Sequence, residues 1–166
     1  MKKILFIITM LVTSLGINAQ EMNAKYQGEF DLSYSIGTGT FSTNRVNLHT
    51  IHGAKIGNYF SLGVGVGLDY YHEMYEKGEL IVPIFANVKG YLPVNDKFSP
   101  YLSLDLGYGV GVTLGVKDLG GFVWSPAIGF KYSHIKFQLG YTSQELSEYG
   151  IGFKMNAIQL MLGIVF

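Results

Sequence analysis

The 166-residue chain has no cysteine, 4 prolines and few charged residues, which make up 14% of the sequence. The absence of cysteine excludes both a disulfide-stapled domain and a lipoprotein anchored through a modified cysteine. After residue 12 no hydrophobic run is long enough for a membrane-spanning helix. The chain is nevertheless 48% hydrophobic and rich in glycine (22), tyrosine (12) and phenylalanine (11). These apolar residues must therefore be covered by something other than a helical membrane anchor.

The first 19 residues have the parts of a secretory signal peptide. Two lysines precede the apolar run ILFIITMLV, which is too short to span a bilayer, and small residues suited to a signal peptidase follow in INA, ending at Ala19. We predict cleavage near Ala19. Removal of residues 1–19 leaves 147 residues, enough for one domain, with 10 basic and 12 acidic side chains. No large basic surface remains, so a nucleic-acid partner is not expected.

Alternation of apolar with small or polar residues recurs along the mature chain. In residues 101–112, YLSLDLGYGVGV, the even positions hold Leu, Tyr and Val, while the odd positions from Ser103 onward hold Ser, Asp and Gly. A period of two is that of a β-strand with two unlike faces. The pattern predicts eight strands, at residues 28–36, 44–55, 60–70, 80–91, 101–112, 122–133, 136–142 and 157–166.

Two of these segments carry irregularities. In residues 44–55 the alternation slips near Thr50 and Ile51, which makes this the weakest of the eight. In residues 80–91, Pro83 predicts a bulge or a locally broken ladder, because proline has no amide hydrogen to donate.

The connections between the strands alternate in length. Those at residues 56–59 and 133–135 are tight turns, and that at residues 92–99 is somewhat longer. Between them lie the connections at residues 37–43, 72–79, 113–121 and 143–154, which are rich in Gly, Ser, Thr or charge. Short turns on one side and longer polar loops on the other are typical of an outer-membrane barrel.

An exported, apolar chain without a spanning helix can satisfy its backbone hydrogen bonds in lipid only as a closed barrel. We therefore predict an all-β fold, an eight-stranded antiparallel up-and-down transmembrane β-barrel over residues 28–166. Residues 20–27 are predicted to be a periplasmic segment, and both termini are expected on the periplasmic side.

A soluble, lipocalin-like carrier is the alternative with the same number of strands. Its cavity would be lined by the apolar face, with the charged residues in water. The opposed face in this chain consists mainly of glycine and serine, as in residues 60–70, and glycine cannot line a hydrophobic cavity. Lipid is therefore the favoured cover, with strand-end aromatics such as Phe60, Tyr70, Phe122 and Tyr132 forming interfacial girdles.

The interior of an eight-stranded barrel is just wide enough for side chains, which disfavours an open pore. Charged residues on the inward face must pair there, because a lone charge in a closed interior is costly. We predict a polar plug, rather than a selectivity filter, formed by the charge cluster Glu29, Asp31, Lys89, Asp105 and Lys131.

An outer-membrane enzyme that modifies lipid is the alternative from another functional class. The outer rim offers His72, Glu73, Ser143, Glu145 and Glu148. Lipid A deacylases carry a histidine and a serine two positions apart on one strand, and no histidine of this chain has a serine two positions on. No catalytic residue, cofactor or metal site is therefore predicted.

Adhesion through the loops at residues 72–79 and 143–154 is a third possibility for which no partner can be named.

The carboxyl terminus, AIQLMLGIVF, places apolar residues at every second position and ends on an aromatic residue. It resembles the assembly signal that the barrel assembly machinery reads in Gram-negative outer-membrane proteins, and the matching residues are Ile158, Leu160, Leu162, Ile164 and Phe166.

The mature chain resembles the small eight-stranded outer-membrane barrels, such as OmpA membrane domains and OmpX-like proteins. The stretches PIFANVKGYLP and SPYLSLDLGYGVG are similar to barrel domains of Bacteroides-type bacteria. The resemblance implies an outer-membrane location in a Gram-negative bacterium, contact with membrane lipid and lipopolysaccharide, and the barrel assembly machinery as a partner during biogenesis. It implies a structural or loop-mediated role.

Overall fold

The structure is a computed structural model that describes residues 24–39, 43–74, 77–112, 120–148 and 151–166. The predicted signal peptide, residues 1–19, lies outside these ranges. Within them, no helix is long and apolar enough to cross a membrane. The chain forms eight strands: β1 (Ala24–Thr38), β2 (Arg45–Ile56), β3 (Phe60–Met74), β4 (Lys77–Tyr91), β5 (Phe98–Gly111), β6 (Gly120–Tyr132), β7 (Ile135–Glu148) and β8 (Ile151–Val165).

The sheet closes on itself. Each strand pairs antiparallel with the next, and β8 pairs with β1. Beyond the end of β8, Gly28 and Phe166 exchange two backbone hydrogen bonds of 2.7 and 2.9 Å. Closure pairs residues 28–38 of the first strand with residues 156–166, so the two strands that would otherwise be edges are joined along this stretch. The predicted eight-stranded antiparallel up-and-down barrel is confirmed.

The first strand begins earlier than expected. β1 starts at Ala24, opposite Ile56 of β2, so the last part of the predicted periplasmic segment, residues 20–27, belongs to the barrel wall. The ladder with β8 begins only at Glu29. Residues of β1 before Gly28 therefore extend the wall on the β2 side alone, which the alternation of the sequence did not indicate.

The strands are also longer than the 9 to 11 residues that cross a bilayer at a tilt. They contain 12 to 15 residues. All described residues of the predicted loops at 72–79 and 143–154 lie in strands. The polar composition of these segments predicted loops, but the backbones of neighbouring strands continue to pair there, which gives each amide a partner.

The two irregular segments have different explanations. The ladders of β2 with β1 and β3 run without interruption past Thr50 and Ile51. The slip in the alternation is therefore a change of residue types only, and the backbone of the strand is regular. Ile51 points inward and is buried. At Pro83 the pairing with β3 is interrupted, and the register is the same on both sides of the gap. Pro83 therefore produces the locally broken ladder that was predicted for it. A register shift occurs instead between Tyr71 and Met74.

Exposed and buried residues alternate along the strands and give the barrel an apolar outer face. Large outward side chains of every strand except β2, among them Leu62, Leu104, Ile128 and Leu160, are between 36% and 65% exposed. Exposed aromatic residues lie near both ends of the wall. Those near the short turns include Tyr26, Tyr59, Phe60, Tyr132 and Phe166, and those near the opposite end include Tyr34, Tyr70, Tyr108 and Phe122. The outer face therefore needs an apolar cover.

Leu104 lies at the middle of β5 and points outward. We expect Leu104→Arg to destabilise the protein folded in phospholipid vesicles by about 2 to 4 kcal/mol, because an arginine at the bilayer midplane loses its hydration. Val94→Arg, an exposed position in the connection between β4 and β5, is the control and should change stability by less than about 0.5 kcal/mol. Urea unfolding in vesicles measures both, and equal effects would contradict the lipid-facing assignment.

Candidate functional site

A network of ion pairs crosses the interior of the barrel near the short turns. The ammonium group of Lys89 (β4) donates to both carboxylate oxygens of Glu29 (β1) at 2.9 Å. Lys136 (β7) also donates to Glu29, and it donates to Oδ2 of Asp31 at 2.9 Å. These four side chains, which we call the ion-pair network, are each 1% or 2% exposed. The network joins three strands that are not neighbours in the sheet.

Amide side chains surround the network. Asn87 accepts a hydrogen bond from Lys89 at 2.7 Å and donates one to the carboxylate of Asp105. Gln27 donates to Glu29 at 2.8 Å. A buried ion pair is stable only when the remaining donors and acceptors also find partners, because the charges have lost their hydration. These amides provide several of those partners.

The structure places four of the five residues of the predicted charge cluster together. Glu29, Asp31 and Lys89 belong to the ion-pair network, and Asp105 adjoins it through an amide. Lys131 lies outside the network, and none of the ion pairs among the described residues involves it. Its inclusion in the cluster is therefore corrected.

Lys136 occupies the place in the ion-pair network that was predicted for Lys131. The two lysines are opposite each other in the β6–β7 ladder, but only Lys136 is next to β8, where it pairs with Gly163. Gly163 in turn faces Asp31, and a Cβ atom there would lie 2.1 Å from the Asp31 carboxylate and 2.6 Å from Lys136 Cε. Glycine thus leaves the space through which the lysine reaches Asp31. The sequence does hold a signal for Lys136. This lysine precedes the apolar Phe137, which is on the outer face, so the alternation of the strand puts Lys136 on the inner face.

A second polar group lies in the half of the interior opposite the short turns. Arg45 donates to the hydroxyl of Tyr71 at 2.6 Å and to that of Thr142 at 3.0 Å. His49 and Asp69 form a hydrogen bond of 2.8 Å. The other histidine of β2, three residues further on, lies on the opposite face of the strand. His52 contacts Tyr26 on the outside.

Apolar side chains close the interior beyond this polar group. The buried hydrophobic cluster at the end opposite the short turns consists of Tyr71, Ile81, Leu146 and Met155. Side chains from β3, β4, β7 and β8 therefore meet across the mouth of the barrel.

Little space is left between the polar groups. Phe85 points inward, and Gly65 makes room for its ring, because a Cβ atom at Gly65 would lie 2.4 Å from it. The enclosed cavity beside Phe85 measures about 20 Å³ and is lined by His49, Asp69 and Asp105, among others. That volume holds about one water molecule. No group of three or more His, Asp or Glu side chains in the described ranges could hold a metal ion.

The residues considered for catalysis are not brought together. His72 contacts the rings of Tyr34 and Tyr70 on the outer face, at centroid distances of 6.5 and 5.4 Å. Ser143 is 4% exposed and lies opposite Trp124 in the β6–β7 ladder. Of the acidic rim residues, Glu145 pairs with a lysine of β8 at 2.8 Å, while the side chains of Glu73 and Glu148 are outside the described part of the structure.

Several solved structures share this architecture, although no protein-family model matches the chain and no curated protein is similar to it in sequence. Neisserial surface protein A matches with a TM-score of 0.66 and 12% identity, over 86% of this chain and 97% of that one. The amino-terminal β-barrel domain of Pseudomonas aeruginosa OprF matches with a TM-score of 0.53 and 12% identity, over 87% and 100%. This is the fold of the small eight-stranded outer-membrane β-barrels.

The small outer-membrane barrel fold does not by itself specify a function. The outer membrane enzyme PagL also matches this chain, with a TM-score of 0.59 and 10% identity over 82% of this chain and 98% of that one. An enzyme is thus among the proteins that share the fold, and the role of this barrel must be inferred from its own side chains.

The two inward lysines of the β6–β7 hairpin provide a matched test of the ion-pair network. Lys136→Met leaves Glu29 and Asp31 with an uncompensated buried charge, and we expect a loss of about 3 to 5 kcal/mol in the free energy of unfolding. Lys131→Met should cost less than about 0.5 kcal/mol, because that lysine is in no ion pair. Denaturant unfolding of the folded barrel measures both, and similar losses would show that the network does not carry this energy.

Proposed function

We propose that the protein is an integral outer-membrane β-barrel with a closed, polar-plugged interior, and that its role is structural or mediated by its loops. The observation that carries the proposal is the combination of an exposed apolar outer face with charges that pair inside the barrel. A soluble protein of this size rarely exposes a continuous apolar surface larger than a few hundred Å². Lipid is the cover that such a surface requires.

The orientation of the faces argues against the lipocalin-like carrier. Such a carrier needs an apolar cavity, but the inward residues of the described strands include Glu29, Asp31, Asp69 and Lys89. The same interior argues against an open pore. Ion pairs fill one half and the apolar cluster closes the opposite mouth, in keeping with the limited width of eight strands.

A non-enzymatic role is part of the proposal. It is supported by the separation of His72, on the outer face, from the buried Ser143. The partners we propose are membrane lipid and lipopolysaccharide around the wall, and the barrel assembly machinery during biogenesis. We propose that both termini lie in the periplasm. The end of the barrel opposite the short turns then faces the outside of the cell, where a loop partner would bind.

Gel mobility with and without heating tests the proposal directly. A closed barrel taken from the outer membrane should resist detergent until it is boiled, and its mobility should change on boiling because only the barrel keeps its compact shape in detergent. A planar-bilayer recording should show no sustained conductance. A protein found in the soluble fraction without a mobility shift would refute the membrane assignment and favour the soluble carrier.

The predicted assembly signal can be tested separately from folding. Ile158, Leu160, Leu162 and Ile164 lie on the outer face of β8, Phe166 follows the end of that strand, and all five are 46% to 60% exposed. We expect Phe166→Ala to reduce the amount of protein assembled in the outer membrane of cells, while spontaneous folding into vesicles changes little, because the ring lies outside while the backbone pairing of its residue is retained. The control is Phe130→Ala, another exposed aromatic, on β6. Equal cellular levels of both variants would contradict an assembly role.

A further inference from the structure

Three lysines surround the inner mouth of the barrel at the end that carries the short turns. Lys25, Lys55 and Lys131 occupy inward positions of β1, β2 and β6, and we call them the basic mouth. Alternation assigns them to the inner face: Lys25 precedes the buried Gln27 by two residues, and Lys55 follows the buried Ile51 by four. Because β6 lies across the barrel from β1 and β2, the lysines approach one opening from opposite sides.

The three positive charges of the basic mouth act on one another. Lys25 is directly opposite Lys55 in the β1–β2 ladder. Lys131 is distant from both along the sheet, yet its charge, like that of Lys25, acts unfavourably on the ammonium group of Lys55. Like charges directly opposite each other destabilise a sheet. An anion held between the lysines would offset this repulsion.

The described part of the chain offers the basic mouth no counter-charge. Deeper in the interior, the carboxylates of the ion-pair network are already compensated by the two lysines of that network. Among the described residues nearer the short turns, Asp96 is the one acidic side chain, and it takes part in no ion pair with them. The terminal carboxylate of Phe166 also forms none with these residues. Positive charge is therefore in excess at this opening.

Two buried tyrosines close the interior next to the basic mouth. Tyr91 and Tyr101 are 3% and 2% exposed, and their ring centroids are 5.4 Å apart. The ammonium group of Lys55 lies 5.1 Å from the centre of the Tyr91 ring. The Tyr101 ring covers Gly129, two residues before Lys131, and a Cβ atom at Gly129 would lie 2.7 Å from that ring. The opening is therefore a cup with an aromatic floor, and it does not continue as a channel.

The chemistry of the cup indicates the class of ligand that it fits. Lys55 and Lys131 are half-buried, so water screens their charges less than it screens charges on an open surface. Ammonium groups only donate hydrogen bonds, and the complementary ligand must accept several of them. A phosphate group has several acceptor oxygens and carries more than one negative charge near neutral pH, and lysine is a common phosphate ligand.

We propose that the basic mouth binds a phosphate group, held by Lys25, Lys55 and Lys131 over the floor of Tyr91 and Tyr101. The site requires the closed barrel, because closure brings β6 opposite β1 and β2, but it does not require the proposed cellular location. In the proposed orientation the cup opens to the periplasm. Soluble phosphates and the headgroup phosphates of membrane lipids share this chemistry, and the experiment separates the two sources.

Isothermal titration calorimetry tests the site, with inorganic phosphate added to the protein without its predicted signal peptide in an uncharged detergent. We expect phosphate to bind more tightly than acetate at equal ionic strength, and added salt to weaken its binding because the attraction is electrostatic. Phosphate that binds no more tightly than acetate overturns the proposal. The titration is repeated in mixed micelles with phosphatidylglycerol. An unchanged affinity assigns the site to soluble phosphate, and a lowered affinity shows that headgroup phosphate competes for the same cup.

Substitutions of Lys131 test whether its charge binds the phosphate. Lys131→Gln should weaken binding roughly ten-fold, whereas Lys131→Arg, which keeps the charge, should retain it. Lys97→Gln is the matched control, because it removes one positive charge from the exposed connection at the same end and should leave the affinity nearly unchanged. Equal losses in Lys131→Gln and Lys97→Gln, or no loss in Lys131→Gln, overturn the basic mouth as the site.

Gel mobility on boiling is recorded for every variant, so that a loss of binding is read only from folded barrels. A normal mobility shift without phosphate binding overturns the phosphate site alone. Loss of the shift in the wild type overturns the proposed membrane barrel as well.

Discussion

Closure of the sheet between β1 and β8 is the constraint on which the rest of this structure depends. The ladder from Glu29 opposite Val165 to Thr38 opposite Asn156 pairs the two strands that would otherwise be edges. Once the sheet is closed, every second side chain is enclosed in an interior only as wide as side chains. Charged residues on that face lose their hydration, and they are stable only if they meet opposite charges across the barrel.

The ion-pair network meets this requirement at the seam itself. Lys136 of β7 reaches past β8 to Asp31 of β1, so the ion pair links the two strands that flank β8. The absence of a side chain at Gly163 is what allows this contact. Lys89 joins from the far wall through Glu29. Closure and charge pairing therefore support each other, because neither the lysines nor the carboxylates would be compensated in an open sheet.

Much of the fold was accessible from the alternation of residue types, because a strand between lipid and a narrow interior requires two unlike faces. The segment YLSLDLGYGVGV shows both faces in its sequence, and β5 spans Phe98–Gly111. Prediction failed where that physical contrast was absent. In β2 the outward Thr50 and the inward Ile51 invert the pattern, and beyond the apolar band the strands continue with polar residues on both faces, so composition indicated loops where the backbone still pairs.

The sequence by itself determined that the chain forms two-faced strands, eight in number, joined by connections that permit an antiparallel up-and-down barrel. Those features follow from local periodicity, which depends only on residues near each other in the chain. Tertiary structure alone decided which charges pair. Lys131 and Lys136 both alternate inward, but the register of closure puts only Lys136 beside Gly163 and Asp31. A contact among β1, β4 and β7 depends on the geometry of the whole barrel, and no local pattern in any one strand encodes it.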